Sequence, residues 1–532
     1  MTKKCCVLIL AATVVALVLR LPRLQQRPLH GDEAVHADKF RLLLEEGFYE
    51  YDPVEYHGPT LNYLTLIPAG FAGAEKLTEV TEFTLRIVPV FFGVCLVLLL
   101  LLMTGGLGGG ATFYAAVLTA VSPAMVFYSR YYIQEMLLVC FTFGAIVSGY
   151  RYTVRKKMIW AVLTGMCLGL MHATKETCII AFGAMALAWV LTLLLQRRKG
   201  SFVNAVKPSH LVGGIVAGVA VSALFFSSFL SHPAGILDSI RTYTTYLDRA
   251  NQASLHINPW SFYLKMLVFF RYGNGPFWTE APIVLLAVIG FIAAMTKKGA
   301  SFANVPLVRF LAFYTLFLTI LYSAIPYKTP WCALGFLHGM ILLAGVGAVF
   351  LVRLSPNVLP RLIVIALLFE GSVYLTWQAY LTEYKYYADS RNPYVYAHPT
   401  TDIYTVVRQI EEYASVHEAG YDMPVDIICP GDDYWPLPWY LRSFRKISWS
   451  NHVVKDADSA PLIIASPEVE GALTEKLYAP SEKRQMYLFL FDEPYYVWLR
   501  PEVKLLGYVR KDLWDRFQRR PVEELPAEEG KK

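Results

Sequence analysis

Residues 5–34 read CCVLILAATVVALVLRLPRLQQRPLHGDEA, and the reading of this stretch decides the fold. Residues 5–21 are almost wholly apolar and follow Lys3 and Lys4, which is also the layout of a secretory signal. What comes next is Leu19-Arg20-Leu21-Pro22-Arg23 rather than a small-residue cleavage site, so the segment reads as a retained membrane helix. The acidic pair Asp32-Glu33 then stands one short segment beyond the bilayer.

The rest of the chain agrees with a membrane setting. Of its 532 residues 55% are hydrophobic and only 17% charged, too little charge for a soluble chain of this length. The net charge of +6 does not point to nucleic acid, because the basic residues sit mainly in short loops between apolar runs. Seven of the eight cysteines lie in or beside apolar segments and only Cys429 falls in the tail, so no disulfide framework is built.

A spanning helix needs roughly 17–25 mostly apolar residues, since lipid cannot satisfy backbone polar groups. Segments near 5–21, 84–104, 109–127, 132–150, 158–174, 176–195, 209–230, 281–296, 304–325, 331–352 and 359–378 meet that measure. Residues 59–75 are apolar but broken by Pro68 and Gly70, and read as an interfacial segment. The six-residue stretch Gly105–Gly110 reads as a short turn between spans.

Basic loops stay cytoplasmic. Lys3 and Lys4 place the N-terminus inside. Arg151, Arg155, Lys156 and Lys157, then Arg197, Arg198 and Lys199, then Lys297, Lys298 and Arg309, then Arg353 and Arg361 follow under one count. Residues 22–83, 122–131, 171–177, 231–280, 325–331 and everything after 379 then fall outside. The fold class is mainly α, a polytopic transmembrane bundle over 1–378 with outer loop 22–83. A small extracytoplasmic α/β domain over 379–532 follows. In it, Val425–Ile428, Leu462–Ala465 and 486–491 read as strands and 400–417 as a helix. From Pro521 the chain is charged and reads as disordered.

The outer loops concentrate the polar chemistry, and charges beside apolar segments tend to mark a site. Asp32 and Glu33 open a helix-like stretch, where a carboxylate commonly caps backbone N–H groups. The functional reading of Asp32 is a general base taking a proton from an acceptor hydroxyl. Asp32 and His36 lie four apart on one helical face, beside His30 and Glu33, and suit Mn²⁺ or Zn²⁺. Their order departs from His-Glu-x-x-His, so no metal or other cofactor is required by the sequence. Arg130, Lys175 and Lys328 end helices on the outer side, with His57 in the first outer loop. Singly each reads as a snorkelling cation; as a set they suit a phosphate leaving group. Glu176 next to Lys175 and Glu135 near Arg130 are alternative local ion-pair partners. Tyr128, Tyr131, Tyr132, Trp260, Trp278, Tyr327 and Trp331 read mostly as an interfacial belt. Asp432-Asp433-Tyr434-Trp435-Pro436-Leu437-Pro438-Trp439-Tyr440 reads as a rigid turn packing on the membrane unit, ahead of substrate contact.

Gly31-Asp32-Glu33-Ala34 after a first span, with His57-Gly58-Pro59 in the same loop, resembles the polytopic glycosyltransferases that use polyprenyl-phosphate sugars, the GT-C fold. Protein O-mannosyltransferases and the aminoarabinose transferases of lipid A belong there. Tyr51-Asp52-Pro53, His57-Gly58-Pro59, Lys328-Thr329-Pro330-Trp331 and Trp435–Tyr440 are similar to a prokaryotic family associated with lipid-linked-sugar flippase activity. The resemblance implies that Asp32 is the catalytic base, assisted by Glu33. It matches Arg130 to the family's Ser-Arg motif and Lys175 to the lysine of the third outer loop. Where the aminoarabinose transferases carry Lys-Pro-Pro, this chain has His57-Gly58-Pro59, and a fixed cation becomes a titratable one. The implied activity is transfer of a sugar from a polyprenyl-phosphate carrier to an extracytoplasmic acceptor (protein, lipid or polysaccharide) with inversion, in the cell membrane. The alternative is a lipid-linked-sugar flippase or an associated carrier-binding protein without catalysis. Transporters tend to hold their polar groups at the midplane, and this chain gathers them at the outer face.

Overall fold

The computed structural model describes residues 3–54, 57–196, 206–249, 256–296, 299–455, 458–478 and 485–520. Tyr56, Arg197-Arg198-Lys199, Lys297-Lys298 and the charged end from Pro521 lie outside them. The chain divides into two compact units, Met1–Gln25 with Lys39–Tyr396, and Gln26–Asp38 with Ala397–Lys532. The boundary expected at 378 thus moves later, because the last long helix runs on to Tyr384, and the segment carrying the acidic pair groups with the tail.

Helices of the first unit are α1 (Lys3–Arg20), the second half of α2 (Gly31–Glu46), α3 (Thr60–Ala72) and α4 (Glu82–Leu107). Then follow α5 (Gly109–Val121), α6 (Pro123–Ser129), α7 (Glu135–Arg155), α8 (Met158–His172), α9 (Cys178–Leu195) and α10 (Pro208–Phe226). The unit also contains α11 (Ala234–Arg249), α12 (Ala281–Met295), α13 (Val305–Ala324), α14 (Pro330–Leu354) and α15 (Val358–Tyr384). Each of the eleven expected spans is helical.

Seven of these helices are long and apolar enough to cross a membrane, or eight if the bent pair α5–α6 is one span. α1 falls short because Lys3, Lys4 and Arg20 sit in its 18 residues, and α8 and α12 because each has 15 residues. At about 1.5 Å per residue, 15 residues reach only about 22 Å of a roughly 30 Å hydrocarbon core. α3, with 13 residues, is shorter still. The expected glycine turn narrows to Gly108, whose positive φ of 82° breaks the path between α4 and α5.

α7 and α14 are 72% buried and form the centre, whereas α10 and α15 are only 6% buried and turn their apolar surface outward, toward lipid. α8 and α10 meet through glycines four apart: a Cβ on Gly165 would lie 1.8 Å from the Gly214 carbonyl oxygen, and one on Gly169 2.3 Å from that of Gly218. Small residues at such spacing let membrane helices approach closely where no hydrophobic effect drives them together.

The second unit is a mixed sheet with strands β1 (Val425–Ile428), β2 (Ile447–Ser450), β3 (Leu462–Ala465), β4 (Tyr487–Phe489), β5 (Tyr496–Arg500) and β6 (Val503–Arg510). The order is β2-β1-β3-β6-β4, with β5 on β6. β1 pairs in parallel with β2 and β3, and β6 runs antiparallel to β3, β4 and β5. β3 is buried at every position, as a strand covered on both faces must be. Helix α16 (Ile403–Val416) buries Ile403, Val406, Val407, Ile410, Tyr413 and Ala414, the spacing of one helical face. α17 (Glu470–Tyr478) and α18 (Lys511–Gln518) complete the α/β unit. The helix and three strands expected from the tail are present; β2, β5 and β6 are additional.

Candidate functional site

The acidic pair separates by role. Glu33 is fully buried, 3.3 Å from the Arg27 guanidinium, and accepts the His30 backbone N–H at 3.0 Å. A carboxylate three residues into the segment thus satisfies an amide at the helix start. Asp32, in the first turn of α2, keeps its side chain 50% exposed. Its backbone N–H donates to His30 Nδ1 at 3.0 Å. Burial holds the His30 pKa below the ordinary histidine value, against the pull of Asp32 and Glu33, which favours the neutral ring with Nδ1 as acceptor. His36 is buried on the same helix. Among the described residues no three His, Cys, Asp or Glu side chains come together as a metal site. Leu29 N–H donates to the Tyr440 hydroxyl at 2.8 Å, so the Trp435–Tyr440 turn holds the backbone just before Asp32. All of these residues belong to the second unit; His57, Arg130, Lys175 and Lys328 belong to the first.

In the first unit neither Lys175 nor Arg130 takes the acid nearest in sequence. Lys175 is buried and bonded to Glu135 across forty residues. Burial alone would lower its pKa, but the negative groups around it, Glu135 foremost, together hold it above the ordinary lysine value. Glu176 instead accepts from His57 Nδ1 at 2.8 Å and from the Tyr51 hydroxyl at 3.2 Å. Burial pushes the Glu176 pKa up, yet His57, a backbone N–H and Lys175 together reverse this and leave it below the usual carboxylate value. The two loops meet because Gly58 carries no side chain: a Cβ there would lie 2.2 Å from the Ala173 carbonyl oxygen. Thr60 N–H reaches that same oxygen at 3.2 Å, and the Thr60 hydroxyl donates to Thr174 at 2.8 Å.

Arg130, expected at the carrier phosphate, is engaged by backbone carbonyls and a carboxylate. Its guanidinium donates to the carbonyls of Arg20, Pro22 and Arg23 at 3.1, 2.7 and 3.1 Å, closing the open end of α1. Its Nε lies 2.7 Å from Glu383. Lys328 is likewise turned inward, donating to the carbonyls of Asn258 and Ile325. A phosphate would have to displace these bonds, as it would the bond from Lys175 to Glu135. The aromatic belt is also corrected. Tyr128, Tyr131, Tyr132, Trp278 and Trp331 are buried, while Trp260 and Tyr327 remain exposed. Polar partners make the burial affordable in free energy: Tyr128 donates to the Tyr394 carbonyl at 3.1 Å and Trp278 to that of Arg391 at 2.7 Å.

Three buried polar residues went unnoticed in the sequence. Arg20 donates to Ser129 and to the carbonyls of Ala120 and Thr119 at 3.0, 2.8 and 2.9 Å, tying α1 to the 58° bend between α5 and α6. Glu280 accepts from Ala124 N–H at 2.9 Å and from the Ser122 and Tyr394 hydroxyls, capping α6. Glu383 completes the Arg130 pair. The signal available for each was a charge inside an apolar run.

Residues 10–232 match the family model of dolichyl-phosphate-mannose-protein mannosyltransferase. That stretch contains Asp32, Glu33, His57, Arg130 and Lys175, but not Lys328. No curated protein matches the sequence. ArnT from Cupriavidus metallidurans, crystallised with undecaprenyl phosphate, is similar in structure with a TM-score of 0.63 and 14% identity, over 94% of this chain and 97% of that one. The fold is GT-C. The Archaeoglobus fulgidus oligosaccharyltransferase tethered to an acceptor peptide shares it with a TM-score of 0.54 and 14% identity, over 84% of this chain and 64% of that one. With an inhibitory peptide and dolichol-phosphate bound, AglB of the same organism has a TM-score of 0.53 and 12% identity, over 88% and 70%. The GT-C frame here thus extends through the tail as well as the membrane helices.

Proposed function

We propose that this chain is an integral membrane glycosyltransferase that moves a sugar from a polyprenyl-phosphate carrier to an extracytoplasmic acceptor, with inversion at the anomeric carbon. The observation that carries the reading is Asp32. Glu33, Glu135, Glu176, Glu280 and Glu383 are buried and engaged by cations or helix caps, whereas Asp32, 3.7 Å from His30 Nδ1, presents a half-exposed carboxylate in the first turn of α2. It lies within the stretch similar to the mannosyltransferases.

In the proposed reaction the acceptor oxygen bonds to the anomeric carbon from the face opposite the carrier. Asp32 takes the hydroxyl proton, and the bond from that carbon to the phosphate oxygen breaks, releasing polyprenyl phosphate. Lys175 is the cation proposed to receive the charge gathering on that phosphate, with His57 beside it in the same loop pair. Arg130 and Lys328 support the frame. No metal enters the scheme. The loop charges support an N-terminus in the cytoplasm and the tail outside, in the plasma or inner membrane.

Purified protein in liposomes is supplied with a synthetic polyprenyl-phosphate sugar and an extract of envelope acceptors. The reading expects sugar on an acceptor together with liberated polyprenyl phosphate. Equilibration of the carrier between leaflets with no bond cleaved would replace the reading with that of a flippase.

A further inference from the structure

Two cavities inside the membrane unit belong to no step above. The first, of about 30 Å³, is lined by Glu135, Thr142, Thr177, Tyr314, Tyr322 and Cys332 among others. The second, of about 10 Å³, is lined by Phe143, Ile146, His338, Gly339 and Leu342. Val139, Thr142, Tyr314 and Gly335 line both, so the cavities adjoin. On α7 their walls are Glu135, Leu138, Val139, Thr142, Phe143 and Ile146, one continuous helical face.

Each cavity has an orphaned polar atom in its wall. Glu135 gives Oε1 to Lys175, while Oε2 is buried with no hydrogen-bond partner among the described residues. His338 is 4% exposed, packs edge-on against Phe143 and leaves Nε2 buried in the same condition. Leaving such groups dry is costly, because a buried donor or acceptor loses its water and gains nothing in exchange. A water needs roughly 10–15 Å³ and polar partners, so the pair of cavities has room for about three. An ionisable residue within a membrane helix is rarely idle.

We propose that the joined cavities hold water bridging Glu135 Oε2 to His338 Nε2, and that His338 is thereby a positioning residue that keeps Glu135 turned toward Lys175. The bridge supplies Glu135 with its second hydrogen bond and fixes the carboxylate that aims the Lys175 ammonium. The water site stands on geometry alone; its effect on catalysis rests on the reading of Lys175 as the carrier-phosphate cation.

The test uses the full chain in nanodiscs. A density map that resolves ordered water should show it between Glu135 and His338, and the Glu135 carboxylate infrared band, assigned with E135Q, should shift in H338L. H338L should raise KM for the polyprenyl-phosphate sugar about tenfold, the worth of one hydrogen bond to a charged group, with kcat nearly kept. H338Q, which keeps an acceptor, should restore it. V139L, which adds volume at the shared wall, should displace the water and reproduce the H338L effect if H338L does not fold. A dry cavity, or an unmoved band and KM in the folded variants, overturns the proposal. Absence of sugar transfer by the unaltered protein would sink the enzymatic reading instead, with density and band still deciding the water site.

Discussion

At the scale of single residues, adjacent acids have separate physical fates. Glu33 is buried against Arg27, so Glu33→Gln leaves a guanidinium without its counter-charge. Breaking one side of such a pair costs about 3–5 kcal/mol. A markedly lower Tm is expected, and an unchanged Tm would show the pair to be dispensable. Glu176 sets an acid limit. Its folded pKa lies below its unfolded value, so the stability it contributes is complete above the unfolded value of about 4.3 and lost as pH falls through the folded one. Tm of the protein should therefore drop more steeply below about pH 4 than that of Glu176→Gln. Parallel curves would refute the linkage. Asp32, Glu33, His57 and Lys175 could be singled out in the sequence because a charge beside an apolar run is costly. Their pairings could not, since Lys175 reaches Glu135 and Arg130 reaches Glu383 only through the folded chain.

At the scale of elements, hydropathy located the helices well because lipid leaves the backbone no other partner. It missed how they pack. Gly165, Gly169, Gly214 and Gly218 were apolar filler in a hydropathy count, yet their backbones touch. Gly165→Leu should push α8 and α10 apart, seen as a lower Tm in detergent. Wild-type stability would mean that the helices are held by other contacts. The bend before Pro123 was equally hidden, since Ser122, Glu280 and Arg20 stabilise it from three separate segments. In the tail, β1 and β3 stood out as short Ile/Val-rich runs buried on both faces, while β5 and β6 mix charge with apolar residues and gave no clean period.

At the scale of the whole molecule, the proposed function requires one topology. Residues after α1, between α10 and α12 and in the tail are proposed to face outward, and cysteines placed at Asp52, Asp238 and Ser459 should react with an impermeant thiol reagent on intact cells. Labelling of any of them only after lysis would contradict that arrangement. The domain division was read too simply, since Gln26–Asp38 joins the tail and no hydropathy pattern marks a sequence-distant strand of contact. The most direct measurement of the central claim is sugar transfer from a synthetic polyprenyl-phosphate sugar by purified Asp32→Asn beside the unaltered protein. The account predicts that the variant folds with an unchanged Tm and transfers no detectable sugar. Turnover near that of the unaltered protein would contradict it.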